Sequence, residues 1–309
     1  MTDGALLIIG DVVTDVVALH GSPVMSGTDT AADIVLRPGG SGANTAAWAA
    51  CLGAEVHLLA KLGYDSSEWH TTELVKTGVH PHVTVDPAHP TAVVIAMVDK
   101  SGERSMLTNR GAGSLISEAD WDPSLLTGVT RLHLSGYVLF AEPGLRLARR
   151  AMADAADAGV TISIDPASTG PLREFGVERF TRETAPTGLI IPNLDEALLL
   201  SGATTAERAA VVLSERYGTA VVKLGADGAL AAVDGAVVAT APGVSTEVVD
   251  STGAGDAFAA GYLAATLRGY GVQAGLEAGC RAGAECVAQV GGRPRYGLDL
   301  NRLYPIHTD

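Results

Sequence analysis

The residues best suited to chemistry stand near the carboxyl end, in the segment 250–258, which reads DSTGAGDAF. Gly253, Ala254 and Gly255 form a turn of small residues that leads directly into a predicted helix. Their backbone N–H groups are unhindered and the helix dipole adds partial positive charge, so an anion such as a phosphate can settle there. Asp256 follows at the helix start, where the dipole favours its ionised form and makes it available as a proton acceptor. The alternative for Asp256 is that it only caps the helix.

Three other segments combine polar side chains with turns. Residues 38–46 (PGGSGANTA) form a Gly-rich turn that opens a helix, where Asn44 offers both a donor and an acceptor; a plain loop-to-helix junction explains them equally well. Asn193 and Glu196 follow a predicted strand and fit either a capping box or a hydrated Mg²⁺ site. Residues 223–228 (KLGADG) end a strand in a turn bracketed by glycines, which is a weak signal by itself.

Composition and missing motifs exclude several classes of protein. The chain has 309 residues, of which 47% are hydrophobic and 18% charged, so it is not mainly disordered. Its 21 Lys+Arg against 35 Asp+Glu give a net charge of −14, which repels nucleic acids and acidic membranes, so any anion must be captured locally. The sequence contains neither a P-loop pattern, nor GxGxxG after the first strand, nor GxSxG, and its eight histidines form no convincing ligand set.

The cysteines and the first residues predict a cytoplasmic protein. The chain has three cysteines, an odd number that implies no disulfide framework. Cys280 and Cys286 fall in one helical pattern with a rise of about 9 Å between them, too far for a bridge. No Lys or Arg precedes the apolar run 5–9, so it does not resemble a signal peptide, and no stretch has the roughly 18 apolar residues of a membrane span.

The order of the predicted elements indicates a parallel sheet sandwiched between helices. The first strand is predicted from Leu6 to Val13, with Asp15 at or just past its end. Later strands are predicted at 56–60, 131–135, 160–165, 188–192 and 220–224, with helices at 42–52, 66–76, 143–158, 195–201, 205–217, 256–268 and 272–290, and a hairpin at one edge, 229–233 and 236–239. Residues 91–99 and 104–108, joined by a tight turn at 100–103, predict a second hairpin outside the main sheet, together with the weakly periodic residues 16–38.

Taken together, these segments resemble the ribokinase-like (PfkB-type) carbohydrate kinase family over nearly the whole chain. Residues 39–46 look like its N-terminal signature, residues 250–258 like its more specific C-terminal signature, and residues 193–196 match its N-x-x-E element between them. The resemblance implies an α/β fold with a three-layer α/β/α core, built from a mainly parallel sheet and formed by residues 1–15, 39–90 and 111–309. It also implies a small β-sheet lid formed by residues 16–38 and 91–110.

The implied activity is the transfer of the γ-phosphate of ATP to a hydroxyl group of a sugar or sugar derivative. By this resemblance Asp256 is the base that takes the proton of the hydroxyl, and Gly253, Ala254 and Gly255 form the anion hole. Asn193 and Glu196 hold Mg²⁺ through water. Asp250 and Thr252 fall where some members bind an activating monovalent cation such as K⁺, although Ser251 replaces the threonine often found between them.

The resemblance also implies two sets of binding residues. The nucleotide site takes Asn193, Lys223, Gly225, Gly228, Gly255 and Cys280, and the acceptor site takes Asp15, Gly39, Gly40, Asn44, Tyr137 and Arg110. Ribose itself is disfavoured, because residues 135–137 (SGY) lack the acidic sugar ligand of ribokinases. Some relatives use an arginine near Arg110 to bind a carboxylate or phosphate of the substrate; the alternative is a solvated residue at the end of a hairpin.

A homodimer formed through the lid is expected, since an exposed sheet edge favours pairing with a second chain. Neither a nucleic-acid nor a membrane partner is expected. Two other functions stay open. A nucleoside kinase on the same scaffold would need an apolar wall for a base, for which Trp48, Tyr137 and Phe140 are candidates. A non-catalytic sugar or nucleotide sensor is disfavoured, because such a protein has no need of Asp256.

Overall fold

The main sheet has nine strands and carries helices on both faces. The fold was obtained as a computed structural model, which describes residues 4–99 and 104–295. The strands are β1 (Ala5–Ile9), β2 (Val13–His20), β3 (Ala32–Gly39), β4 (Val56–Gly63), β5 (Val79–Asp86), β6 (Ala92–Val98), β7 (Arg104–Asn109), β8 (Val129–Ser135), β9 (Thr161–Asp165), β10 (Leu189–Ile190), β11 (Thr219–Lys223), β12 (Ala229–Val233) and β13 (Ala236–Ala241). The helices are α1 (Ser41–Cys51), α2 (Ser67–Lys76), α3 (Glu142–Asp157), α4 (Thr169–Phe175), α5 (Val177–Glu183), α6 (Leu194–Ser201), α7 (Ala206–Tyr217), α8 (Ala254–Leu267) and α9 (Val272–Val287).

The strand order in the main sheet is β13-β12-β11-β10-β9-β8-β1-β4-β5. All neighbours from β11 to β5 run parallel, and β12 and β13 form the antiparallel hairpin predicted at one edge. The interior strand β1 is buried along its whole length, as its unbroken apolar sequence requires of a parallel strand covered on both faces. The parallel strands therefore end at one edge, where the polar residues of the site collect.

The main sheet divides the apolar core into two layers, and helices cover each of them. Leu6 and Ile8 of β1 pack into the layer that contains Trp48 of α1 and Phe258 of α8. Leu7 and Ile9 face the other layer, which α3 and α7 complete. Alternate residues of one strand thus belong to opposite cores, which is the packing of a sheet between two helix layers. The predicted three-layer α/β/α core is confirmed.

A second sheet of four strands has the order β3-β2-β6-β7. It contains the predicted hairpin, now β6 and β7, and joins it to residues 13–39 through the parallel pair of β2 and β6. The tight turn predicted at residues 100–103 lies outside the described residues. In the part of the chain that is described, none of the helices is both long enough and apolar enough to cross a membrane.

The prediction of one strand from Leu6 to Val13 is wrong. The first strand ends at Ile9, and Val13 already begins β2 in the second sheet. The chain leaves the main sheet at Gly10, where a β-carbon would lie 2.6 Å from the Cα of Gly42. The apolar run continues across this break because Val12 and Val13 are buried on the far side of it.

Other differences are small, except that α4, α5 and the edge strand β5 had no predicted bounds. The predicted strand 188–192 shortens to two residues, and the last helix ends at Val287 rather than at residue 290. Helix α8 begins at Ala254, so Asp256 is its third residue rather than its first. Asp256 therefore lies within the first turn of the helix rather than at the capping position, which Gly253 occupies.

Candidate active site

Asp256 is held by residues from the opposite end of the sequence. Its Oδ1 accepts a hydrogen bond from Ser41 Oγ at 2.8 Å, and its Oδ2 accepts one from Asn44 Nδ2 at 2.9 Å. Both donors lie in the first turn of α1, and Asp256 lies in the first turn of α8. The two Gly-rich segments singled out in the sequence therefore meet at this carboxylate, which is half-buried between two helix N-termini.

The pKa of the Asp256 carboxyl is raised to about 7, chiefly because burial withholds water from its ionised form. The negative charge of Asp165 adds to this rise, whereas the bonds from Asn44 and Ser41 and the cation of Lys223 act against it. Burial thus opposes the helix dipole, which favours the ionised form of Asp256. A carboxyl poised near neutral pH is suited to accept a proton.

The turn at 253–255 has the backbone needed for close approach of an anion. Gly253 has φ +77°, and a β-carbon there would lie 2.5 Å from the Cα of Gly292, so only glycine fits. At Gly255 a β-carbon would lie 3.2 Å from Lys223 Nζ, so the ammonium group stands beside the turn. Backbone amides at a helix N-terminus and a cation together favour an anion at this point.

Asp165, at the end of β9, is a site residue that the sequence reasoning missed. Its Oδ2 accepts a hydrogen bond from Lys223 Nζ at 2.5 Å, with side chains only 8% and 11% exposed, respectively. Its Oδ1 accepts from the N–H of Ala167, whose φ of +76° is unusual for a residue with a β-carbon. The available signal was its position: a carboxylate at the carboxyl end of a buried parallel strand.

Asn193 and Glu196 form the capping box that was one of their two interpretations. Asn193 Oδ1 accepts from the Glu196 N–H, and the Glu196 carboxylate accepts from the N–H and Nδ2 of Asn193, at 2.7 to 2.9 Å. Glu196 is 1% exposed, and burial together with the Asp165 charge raises its pKa to about 7.

The same two residues also line a cavity of about 310 Å³ with Asp165, Lys223 and the 253–256 turn. Carboxylate and amide oxygens are the ligands that Mg²⁺ prefers in proteins. A divalent cation would also favour the ionised form of Glu196, which burial and the charge of Asp165 now disfavour. The donor set therefore fits a hydrated magnesium ion, and capping does not exclude this role.

A larger cavity of about 560 Å³ adjoins the turn on its other side. Five residues predicted for the nucleotide site lie in its wall: Lys223, Gly225, Gly228, Gly255 and Cys280. Val244, Phe258 and Val287 make part of the same wall apolar, as a flat heterocycle requires. Burial raises the pKa of the Cys280 thiol to about 11, so this cysteine contributes apolar surface rather than a thiolate. All three cysteines are free.

The acidic residue that follows β1 is Asp11, not Asp15, and sequence reasoning missed it. Asp11 accepts hydrogen bonds from the backbone N–H of Ser41 at 3.0 Å and of Gly42 at 3.1 Å, and from Ser135 Oγ at 3.1 Å. It therefore caps α1 beside the Asp256 site. The φ of Gly40 is +97°, and a β-carbon there would lie 2.5 Å from the carbonyl oxygen of Asp11, which explains the glycine at this junction.

Asp15 lies in β2, and its carboxylate reaches the backbone of Gly39, where a β-carbon would lie 2.1 Å from Oδ2. Burial, followed by the charge of Asp11, raises the pKa of Asp15 to about 6. The second sheet thus places the carboxyl group of Asp15, a residue predicted for the acceptor site, beside Gly39.

Tyr137, Phe140 and Arg110 contact one another in a cluster. Burial, followed by the charge of Asp11 and then that of Asp256, raises the pKa of the Tyr137 hydroxyl to about 12. The ring of Phe140 meets Tyr137 edge to face at 6.1 Å, and the Arg110 guanidinium lies 5.9 Å above Phe140. Arg110 is half-buried where β7 returns to the core, and not fully solvated.

Asp250 lies just before the turn and is bound by backbone groups. Its Oδ1 accepts from the N–H of Thr252, and its Oδ2 from the N–H of Gly291, both at 2.9 Å. These bonds fix the carboxylate between the 250–253 segment and the segment that follows α9. The structure thus ties this acid to the 253–255 turn.

The comparisons with known proteins agree on one family. Residues 4–295 match the pfkB family carbohydrate kinases. An ATP-dependent ribose-1-phosphate kinase of Halopiger xanaduensis is 30% identical over 258 residues, covering 82% of each chain. An adenosine kinase of Schizosaccharomyces pombe is 29% identical over 278 residues, covering 83% of this chain and 76% of the relative.

Solved structures share the fold at lower sequence identity. An Escherichia coli protein described as a ribokinase II, solved with ATP and Mg²⁺, is 23% identical; the match covers 94% of each chain with a TM-score of 0.83. Because the family match spans residues 4–295 and its named relatives are kinases, the chain belongs to the pfkB family of carbohydrate kinases and is a phosphotransferase with an alcohol acceptor.

Proposed function

We propose that this kinase transfers the γ-phosphate of ATP to a hydroxyl group of a sugar or sugar derivative, with Asp256 as the base. The observation that carries the proposal is the carboxylate between two helix N-termini, beside a glycine turn and the Lys223 ammonium group. Phosphoryl transfer mainly needs positioned reactants and neutralised charge. This arrangement of residues offers both.

In the proposed step the acceptor hydroxyl gives its proton to Asp256 as its oxygen bonds to the γ-phosphorus. The bond between that phosphorus and the bridging oxygen breaks, and ADP leaves with the electron pair. Ser41 and Asn44 orient the Asp256 carboxylate, and the amides of the 253–255 turn with Lys223 neutralise the charge on the phosphate oxygens. Asp165 holds the Lys223 ammonium group beside the turn.

We assign Mg²⁺ to Asn193 and Glu196, through water, on the grounds of the donor set described above. When bound, this ion neutralises charge on the phosphates of the nucleotide. Asp250 and Thr252 stay the proposed monovalent-cation site, supported by the negative charge of Asp250 next to the turn. The cytoplasm stays the predicted location, on the basis of the three free cysteines.

The acceptor site is assigned to Asp15, Gly39, Gly40, Asn44, Tyr137 and Arg110, with Asp11 added. Asn44 donates to Asp256 through Nδ2, so an acceptor hydroxyl that faces Asp256 lies beside this amide group. The nearby ring of Tyr137 offers an apolar face for the sugar ring.

A nucleoside kinase is the second candidate, and the Tyr137–Phe140 pair favours it. Two aromatic rings beside the acceptor site can stack on a base, and one relative is named an adenosine kinase. A non-catalytic sensor is disfavoured because the proton acceptor and the turn are both intact.

ADP release measured with ATP, Mg²⁺ and a panel of acceptors separates these functions. The panel contains neutral sugars, sugar acids, sugar phosphates and nucleosides. We expect saturable turnover with one of the sugar classes. Turnover with nucleosides alone would select the second candidate. ATP binding without turnover of any acceptor would indicate a sensor.

The pKa of Asp256 predicts how the activity depends on pH. Since the raised pKa leaves the base protonated in acid, we expect kcat/KM to fall about tenfold per pH unit below pH 7 and to level off above pH 8. Glu196 has a similarly raised pKa, but bound Mg²⁺ favours its ionised form, so the profile is measured at saturating Mg²⁺ to isolate the Asp256 contribution. A rate independent of pH between about 5.5 and 8 would contradict this assignment.

Arg110 predicts the charge of the acceptor. If its guanidinium binds a carboxylate or phosphate of the substrate, Arg110→Ala should raise KM about tenfold or more for an anionic sugar, because a charge-assisted hydrogen bond is lost. KM for a neutral sugar should change less than about twofold. Arg208→Ala on the exposed face of α7 serves as the control for lost charge. Equal increases in KM for all sugars would end this interpretation.

A homodimer through the second sheet stays our proposal for the assembly. Its strands carry exposed apolar side chains, among them Leu19, Ile34, Leu36, Met106 and Leu107, which are 49% to 64% exposed. Such a surface is unusual on a monomer. Light scattering should give twice the mass of one chain, and Ile34→Asp should give monomers. Val75→Asp, at a similarly exposed apolar residue of α2, should remain dimeric. A native monomer would refute the dimer.

A further inference from the structure

A cavity of about 360 Å³ lies between the end of β3, α2 and residues 289–295. It shares no lining residue with the two cavities of the active site. Three arginines line it: Arg37 from β3, and Arg293 and Arg295 from the segment that follows α9. Such a concentration of guanidinium groups is unexpected in a chain with a net charge of −14.

The described residues that line this cavity include three arginines and one acidic residue, Glu73, so positive charge is in excess. Glu73 also pairs with Lys76 at 2.7 Å. The exposed side chain of Arg37 lies over Gly291 and forms no ion pair within residues 4–99 and 104–295. Arg295 donates through Nη2 to the carbonyl oxygen of Ala288 at 3.3 Å, a neutral partner. The cavity is therefore locally positive.

We propose that this cavity binds a small phosphorylated ligand, with its phosphoryl group held by Arg37 and Arg295. Guanidinium groups match phosphate oxygens in two-pronged hydrogen bonds, and they keep their charge at every physiological pH. The volume suits a sugar phosphate or a similar small ester. Because the rest of the chain repels anions, binding depends on these arginines rather than on the overall field.

A ligand in this cavity would act on the active site through short contacts. Arg293 donates through Nη2 to the carbonyl oxygen of Gly39 at 3.2 Å, and Trp48 donates through Nε1 to that of Gly292 at 2.9 Å. The Cα of Gly292 packs on Gly253 of the anion-binding turn. The ligand would thus join β3 of the second sheet to a segment that supports the turn.

Calorimetric titration with inorganic phosphate and, separately, with glucose 6-phosphate tests the proposal. Both titrations are repeated with saturating Mg²⁺ and a non-hydrolysable ATP analogue, so that binding at the nucleotide site is subtracted. We expect saturable binding that Arg37→Ala and Arg295→Ala each weaken about tenfold or more. Arg208→Ala, an exposed arginine of α7, should bind like the native protein.

The two probes distinguish the source of the phosphoryl group. Binding of phosphate alone would identify free phosphate as the ligand, and tighter binding of the ester would identify a phosphorylated metabolite. The double variant, which combines Arg37→Ala with Arg295→Ala, should keep its basal turnover, which establishes that it folds. Equal affinity of the double variant and the native protein, or no saturable binding of either probe, would overturn the proposal whatever the substrate of the kinase.

Discussion

Asp256→Asn is expected to lower kcat about 10²- to 10⁴-fold while ATP binding stays nearly unchanged. The asparagine keeps the size of the side chain but cannot take the proton of the acceptor hydroxyl. Single-turnover measurements of ADP formation, together with nucleotide titration, separate the loss in the chemical step from any loss in binding. Thermal unfolding reports whether the removal of a half-buried carboxyl changes stability.

Asp195→Asn is the matched control for this variant. Asp195 also lies in the first turn of a helix, but it is exposed to solvent at the start of α6. We expect it to retain native kcat, so a general effect of removing an acid from a helix start is excluded. Full activity in Asp256→Asn would remove the catalytic base from the proposed mechanism.

Gly253→Ala is expected to lower kcat about 10²-fold or more, the loss associated with displacing donors that bind a transferred charge. The φ of +77° alone costs an alanine about 1–2 kcal/mol. The added carbon would also lie 2.5 Å from the Cα of Gly292, so the turn or the neighbouring segment must move. The backbone N–H groups of the 253–255 turn would then no longer converge on the transferred phosphate.

Gly269→Ala separates the cost of a positive φ from the displacement of the turn. Gly269 has a similar φ of +83°, but a β-carbon there meets no atom within 4 Å. It should therefore show a comparable loss of stability with native kcat. Steady-state kinetics measures kcat of both variants, and thermal unfolding measures their stability. If Gly253→Ala matched Gly269→Ala in kcat, the turn would have no role in charge stabilisation.

The sequence was most informative where a motif and a strong local pattern coincide. The alternation of apolar runs with helical segments predicted the three-layer core, and the Gly253–Gly255 turn was identified as the start of a helix. That Asp256 meets Ser41 and Asn44, more than 200 residues earlier, could not be derived from local patterns, because such pairing depends on how the sheet is ordered. The family resemblance implied only that Asn44 binds the acceptor, and it assigned no role to Ser41.

Asp11, Asp15 and Asp165 mark the limit of such reasoning. The apolar run around Asp11 continues through Val12 and Val13, so the sequence hides the point at which the chain changes sheets. Asp165 stands alone after a short strand, and no local motif distinguishes it from an ordinary acid. Its role becomes visible only from Lys223, a partner 58 residues further along the chain.

The single residue that separates β3 from α1 has a mechanical consequence. Strand β3 ends at Gly39 and α1 begins at Ser41, whose hydroxyl donates a hydrogen bond to the Asp256 carboxylate. A tilt of the four-stranded sheet is therefore transmitted through Gly40 to the oxygen atoms that we propose receive the proton. Engineering of that sheet for a new acceptor will alter turnover along with selectivity, because the strand that carries Gly39 also positions Ser41 against Asp256.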